Sequence, residues 1–218
     1  MGKGERMNIH ERIEKWQVED GVYLFDKMKL PDNSVFIDFG CGFGEYTVSL
    51  ALSNKNSTVY AVDKNKKMLE IGQSKTENRS ITNVHLVKAD GSLSMDFPDC
   101  YADMILMYDF IHGNTQEKLP IRFEMFEQAR RVLKPKGILS IAPFECEYLR
   151  DSSGKRKKYT LKKLISEIES CGFGYYESID GAVHFDYYHS PYHWKKLNGD
   201  MPFDYLEVGP VINFYKQK

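Results

Sequence analysis

Residues Val35 to Tyr46 read V-F-I-D-F-G-C-G-F-G-E-Y, and no other stretch restricts the fold of this chain as tightly. An apolar run ends in an acid, Asp38. Glycines follow at alternate positions, Gly40, Gly42 and Gly44, and an amphipathic segment, Tyr46 to Leu52, comes next. The pattern reads as a buried strand, a glycine-rich turn and the start of a helix. Glycine is needed where the backbone takes positive φ or must lie directly against a ligand. The helix start adds unpaired N–H groups and a partial positive charge. Such a turn holds a small molecule against bare backbone.

The dinucleotide fingerprint G-x-G-x-x-G/A is one candidate for this turn. Gly40 and Gly42 fit it, but Glu45 stands at the third glycine position, and the third glycine comes one residue early, at Gly44. A carboxylate beside the turn repels a pyrophosphate and suits a ligand with positive charge. At these residues the chain resembles the class I S-adenosylmethionine (SAM)-dependent methyltransferases, whose first motif runs apolar-D-x-G-x-G-x-G. The resemblance extends over residues 30 to 175. It includes F-P-D-C-Y-A-D-M-I-L at Phe97–Leu106 and L-K-P-K-G-I-L-S-I at Leu133–Ile141. It implies a compact methyltransferase similar to the quinone-pathway enzymes, acting on a small-molecule methyl acceptor with SAM as cofactor.

The remaining elements alternate in the way a parallel α/β sheet requires. Residues 8–29 read as helix, and Pro31 breaks the chain before the first strand. Strands follow at Thr58–Val62, Val84–Val87 and Ala102–Tyr108, then at Ile138–Ala142 and Val211–Tyr215. Their near-continuous apolar character suits burial on both faces. Helices fall at Lys66–Lys75, Gln116–Leu133 and from Leu161, the last capped by Thr160 and ended by Gly172. Lys134-Pro135-Lys136-Gly137 reads as a turn. The expected fold is α/β: a doubly wound, mostly parallel seven-stranded sheet, Rossmann-like, with an antiparallel C-terminal strand. One domain is expected over residues 1–218, with an N-terminal helical cap at 1–30 and a substrate-side loop at 186–207.

Charge and cysteine content bound the partners. The net charge is −1 and the pI about 6.6, which argues against nucleic acid as the main partner. No apolar segment is long enough to span a bilayer. The opening M-G-K-G-E-R-M-N lacks the apolar core of a signal peptide and carries Arg6 where a myristoylation pattern wants Ser or Thr. Cys41, Cys100, Cys146 and Cys171 are scattered and read as reduced thiols. The expectation is a cytoplasmic monomer or homodimer.

The residues that would bind and react fall at strand ends, where open α/β sheets hold their ligands. Asp63 ends the second strand, and its carboxylate can accept both hydroxyls of a ribose, in SAM or in NAD. The resemblance assigns Asp90, followed by Gly91, to the adenine amino group; Asp38, at the entry to the turn, either faces the methionyl ammonium or hydrogen-bonds loop N–H groups, or does both. It sets Phe39, Cys41, Lys64, Met68 and Tyr108 along the cofactor with Gly40 and Gly42. Cys41 fills a place that needs a small residue and is not expected to react. Methyl transfer is an in-line displacement that needs alignment and exclusion of water, plus a base if the nucleophile is protonated. Tyr108 and His112, at the fourth strand's end, are candidates. Y-D-F-I-H there departs from the N-P-P-[YF] of amide and base-amine methyltransferases. His189 and His193, in the aromatic tail with His184 and Asp186, are candidates for the acceptor pocket, and no metal is assigned. The basic stretch Lys155–Lys158 with Lys162 and Lys163 reads as a solvated loop. Three alternatives stay open: a nicotinamide-dependent oxidoreductase, a SAM-binding protein without catalysis, and an RNA methyltransferase.

Overall fold

The computed structural model describes residues 9–92, 94–108, 119–143, 148–150, 155–158, 160–185 and 208–218. The strands are β1 (Val35–Phe39), β2 (Thr58–Asp63), β3 (Val84–Lys88), β4 (Ala102–Tyr108), β5 (Leu133–Ala142), β6 (Tyr148–Arg150), β7 (Arg156–Lys158), β8 (Phe173–Val183) and β9 (Val208–Lys216). The helices are α1 (Ile9–Val18), α2 (Asp20–Lys27), α3 (Glu45–Ser53), α4 (Lys66–Asn78), α5 (Leu119–Val132) and α6 (Leu161–Ser170). Seven strands form one sheet in the order β3-β2-β1-β4-β5-β9-β8, and β6 pairs with β7 in a separate hairpin. The first five strands of that order are parallel. β9 runs antiparallel to both β5 and β8, so β8 points the same way as the parallel set. This is the sheet that the sequence predicts.

Alternation along each strand splits the core between the two faces of the sheet. Phe36, Leu106 and Val211 pack with Trp16, Phe25 and Leu50 from α1, α2 and α3. Their sequence neighbours Ile37, Ile105 and Ile212 pack with Phe126 of α5 and with Leu164 and Ile168 of α6. Full burial of such side chains stabilises by roughly 1.5–3 kcal/mol each. Both faces are therefore covered, and ligand access is left to the strand ends.

The helix expected over residues 8–29 is two helices, broken at Glu19 (φ −114, ψ −85). The bend lets both halves bury their apolar sides: Trp16 in α1, and Leu24 and Phe25 in α2. Gly21 permits the close crossing, since a Cβ there would lie 2.4 Å from Ser49 Oγ and 2.8 Å from the Trp16 ring. Lys134–Gly137 is not a free turn but the irregular start of β5. Lys136 takes φ 65, and the register with β4 slips between Ala102 and Met104. Gly137 sits tight in that bulge, where a Cβ would be 2.9 Å from the Lys134 carbonyl oxygen. The stretch expected as a basic loop contains β7.

Candidate functional site

The parallel strands deliver Asp38, Asp63 and the Asp90–Gly91 turn to one end of the sheet. Between them lies the glycine turn. Gly40 (φ 80), Gly42 (φ 54) and Gly44 (φ 75) all occupy the left-handed region. The backbone N–H groups of Gly40 and Cys41 both donate to the Val62 carbonyl, at 2.8 and 3.0 Å, which fastens the turn to the end of β2. A Cβ on Gly42 would meet nothing within 4 Å, and the same is true of Gly91 (φ 94). These two glycines thus face open space, whereas a Cβ on Gly44 would lie 3.4 Å from Gly72 Cα in α4. The first two features suit backbone laid bare to a ligand; the third is helix packing.

Asp63 ties the glycine turn to the start of α4. Its Oδ2 accepts the Gly42 N–H at 3.0 Å and its Oδ1 accepts the Asn65 N–H at 2.7 Å. Each carboxylate oxygen accepts two hydrogen bonds, so acceptor capacity remains on both oxygens for a vicinal diol. Asp38 lies deeper, 3% exposed, and accepts the Thr47 hydroxyl at 2.5 Å. Burial pushes its carboxyl up from the ordinary value near 3.8 to about 6, against the hydrogen bonds from Thr47 and with the nearby charge of Asp63 adding to the rise. Thr47 stands in the first turn of α3, so Asp38 also faces that helix's positive end. Asp90 is exposed and accepts the Ser92 N–H at 2.7 Å, and the Ser92 hydrogen bonds hold its carboxyl below the usual range. Phe39 is buried, Met68 is half-buried, and Lys64 is exposed beside Asp63. Burial, helped by the charges of Asp38 and Asp63, pushes the Cys41 thiol far up, which keeps it protonated and unreactive.

Two residues sit otherwise than the sequence suggests. Glu45 does not face the ligand side of the turn. It is 4% exposed, and its Oε2 accepts from Lys75 Nζ at 2.5 Å and from the Gln17 amide. Gln17 also accepts from Arg79 and, through its carbonyl, from Ser49. Glu45 therefore braces α1, α3 and α4 behind the glycine turn, and its charge is spent on Lys75 rather than on selecting a cofactor. Tyr108 is buried in an aromatic cluster, edge-on to Tyr46 at 4.5 Å and stacked on Phe25 at 6.5 Å. Its hydroxyl lies 2.6 Å from Ser140 Oγ, which donates its one proton to Asn213 Oδ1, also at 2.6 Å. Tyr108 is therefore the donor, and burial pushes its phenol far above the ordinary range. That geometry gives the sheet a cross-strand brace and gives proton abstraction no support.

Sequence reasoning missed Tyr46. Its hydroxyl donates to the Val183 carbonyl at 2.6 Å and accepts the Val183 N–H at 2.8 Å. Trp16 Nε1 donates to the Gly181 carbonyl at 3.1 Å on the same strand. β8 is an edge strand, and these two rings satisfy its outer edge, with Phe185 packed against both at 5.1 and 5.2 Å. The only signal in the sequence is a tyrosine inside an otherwise small and aliphatic helix. His184 follows and is 2% exposed. His112, His189, His193 and the loop 186–207 lie outside the described residues. Among the described residues there is no cluster of metal-ligating side chains, and no helix is long and apolar enough to cross a membrane.

Comparison with known proteins agrees with this geometry. A family model described as a methyltransferase domain matches residues 30–197. A demethylmenaquinone methyltransferase from a Geobacillus species is 29% identical over 61% of this chain and 54% of its own length. A tRNA (guanine-N(7)-)-methyltransferase from Helicobacter pylori is 26% identical over 62% of this chain and 34% of its own. The chain thus spans between a third and about half of these relatives. Among solved structures, a SAM-dependent methyltransferase from Aquifex aeolicus superposes with a TM-score of 0.60 at 18% identity, covering 96% of this chain and 98% of that one. One from Methanosarcina mazei gives 0.59 at 18% identity, over 86% and 94%.

Proposed function

This chain belongs to the methyltransferase-domain family, and from that premise we propose that it transfers a methyl group from S-adenosylmethionine to a small-molecule acceptor. The observation that carries the cofactor reading is the pairing of bare glycine backbone with carboxylates. Gly42 and Gly91 leave room that a Cβ would fill, and Asp38 and Asp63 stand beside the turn. Positive charge and a ribose diol fit that donor set; a pyrophosphate, with two acids against it, does not. Asp63 would hold the ribose hydroxyls, Asp38 the ammonium, and Asp90 the adenine amino group, with Gly40, Gly42 and Gly91 lying against the ligand.

The chemistry supplied by that cofactor when bound is an electrophilic methyl carbon on positive sulfur. The protein's own part is to bind, align and exclude water. Asp38 lowers its own desolvation cost by facing a cation. Val62 and Asp63 fix the turn so that its N–H groups do not rearrange on binding. α1 and α2 cap one face through Trp16, and Tyr46 pins β8, the strand that precedes residues 186–207 in the chain. His112, His189 and His193 remain the proposed acceptor-side residues, with residues 186–207 proposed to contribute to the acceptor site. The relative named for demethylmenaquinone favours a small acceptor; the relative named for tRNA favours a second reading, an RNA acceptor.

Calorimetric titration with S-adenosylhomocysteine, with NADH and NADPH in parallel, tests the cofactor. Micromolar binding of the homocysteine compound alone is expected. Binding of a nicotinamide cofactor instead overturns the proposal. Methyl incorporation into small acceptors rather than RNA then separates the two readings.

A further inference from the structure

The end of the sheet opposite Asp38 and Asp63 carries a cavity of about 710 Å³, within the size range of small-molecule sites. Its walls are the last turn of α5, the turn from α6 into β8, the residues just before β4 and the end of β9. These are the starts of parallel strands, whereas Asp38 and Asp63 stand at strand ends. The seven residues of β4 lie between, roughly 20 Å at about 3.3 Å per residue. A molecule bound here is out of reach of a methyl group held at the glycine turn, so the cavity is not the acceptor site.

Arg130, Arg131 and Lys216 line it with Asp99 and Glu127, and their bonding sorts the five charges into committed and uncommitted. Arg131 is committed. Its five N–H groups go to Asp99 at 2.8 Å, to Gln128 and to the Met95 and Phe97 carbonyls, and Asp99 cancels its charge. The exposed side chains of Arg130 and Glu127 form no hydrogen bond or ion pair with any described residue. Lys216 donates to the Leu133 carbonyl at 2.6 Å and lies 3.9 Å from the Cys100 thiol, with no acid paired to it among the described residues. Helix C-termini attract cations, but the last carbonyls here already have donors. The Cys100 and Tyr101 N–H groups donate to Arg131 and Val132, and those of Cys171 and Gly172 donate to Ile168 and Glu169. Arg130 is also held in place. Its side chain lies on Gly172 (φ 84), where a Cβ would come within 2.5 Å of Arg130 Nε. A guanidinium positioned ahead of binding loses little freedom when a ligand arrives.

We propose that this cavity binds an amino dicarboxylate, a small molecule or short peptide with two carboxylates and one ammonium. The uncommitted charges select that class. Arg130 and Lys216 leave two positive charges and Glu127 one negative, so the complement carries two negative and one positive. Arg130 presents the planar fork that pairs with a carboxylate through two hydrogen bonds. Lys216 takes the second carboxylate and Glu127 the ammonium. A polyanion is repelled by Glu127 and a polycation by Arg130 and Lys216, so both are disfavoured. The proposal stands without the methyl-transfer reading.

The test is calorimetric titration of the whole chain with L-glutamate and with glutarate, which has the same carbon skeleton without the ammonium. Glutamate is expected to bind more tightly than glutarate. Arg130→Gln should weaken both at least about tenfold and leave S-adenosylhomocysteine affinity unchanged. Glu127→Gln should weaken glutamate about threefold and leave glutarate unchanged or tighter. Cys100, exposed on the cavity wall, reports occupancy: saturating glutamate should slow its alkylation by iodoacetamide, read by mass spectrometry of the peptide that carries it. If Arg130→Gln fails to fold, Glu127→Gln and the alkylation rate carry the test. No glutamate binding at millimolar concentration overturns the proposal, as does binding that neither substitution changes and that leaves Cys100 alkylation as fast as before. Glutarate binding as tightly as glutamate overturns the amino dicarboxylate class.

Discussion

Asp38→Asn is the substitution that most directly probes the cofactor reading. Asp38 is buried, and its carboxyl is raised from 3.8 to about 6. A rise of about two units corresponds to about 3 kcal/mol between the two protonation states. The sign follows from linkage: the folded protein holds this proton more tightly than the unfolded chain does. The favourable contribution is complete below about pH 4 and is lost as pH rises through about 6, so at pH 7 the charged carboxylate burdens the fold by the full amount. Asparagine keeps an oxygen for the Thr47 hydroxyl and never ionises. Asp38→Asn should therefore be more stable than the parent at pH 7 by about 1–3 kcal/mol. In a chain of 218 residues that is a rise of roughly 3–10 °C in melting temperature. At pH 4.5 the gap should shrink markedly, because the parent is then largely protonated. Binding should move the other way. S-adenosylhomocysteine affinity should fall about tenfold or more with the loss of a charge-assisted hydrogen bond. In the parent the affinity should itself decline as pH drops through about 6. Thermal melts at the two pH values and calorimetry at pH 7 check both arms. A variant equally destabilised at pH 4.5 and pH 7, or one that binds as the parent does, refutes the reasoning.

Other consequences are as direct. Gly42→Ala meets no atom, so its stability cost is the left-handed backbone alone, about 1–2 kcal/mol; calorimetry should nonetheless show S-adenosylhomocysteine binding largely abolished by the methyl group in the cradle. Tyr46→Phe leaves the Val183 N–H and carbonyl without their shared partner and should cost about 1–3 kcal/mol, with amide exchange faster at Val183 by a matching factor. Tyr108→Phe should lose about 1 kcal/mol in a denaturant melt and leave the pH profile of methyl transfer unchanged; a lost limb in that profile would restore Tyr108 as a base. Glu45→Ala strands Lys75 and Gln17 and should cost about 2–4 kcal/mol in the same melt.

The sheet was legible because its signals are local. Apolar runs, glycine turns and strand-end acids name their own structural roles, and β1 through β4 stand within a residue of where the apolar runs set them, whereas β5 starts five residues early through the bulge at Lys134–Gly137. The parts that were not legible depend on contacts distant in sequence. Glu45 sits beside the turn in the chain, but its direction is set by Lys75, thirty residues away. Tyr108 ends a strand at the ligand side, yet Ser140 and Asn213 on neighbouring strands claim its hydroxyl. Tyr46 meets Val183 across 137 residues, and nothing in its neighbourhood announces that partner. The split of the N-terminal helix has the same cause, since it answers to α3 and β8 rather than to its own propensity.

A common logic connects these placements. The glycine turn has little side-chain matter of its own to hold its shape, so its rigidity is imported. Val62 and Asp63 hold it from the strand side, and Glu45 with its buried partners holds the helix behind it. Asp38 beside that turn is left under-compensated, shifted toward neutrality by its own burial. A fold optimised for stability alone would replace Asp38 with a neutral residue and lose the means to attract a cation. At Asp38 the chain keeps a charge that weakens it when alone and that gains when a complementary charge arrives.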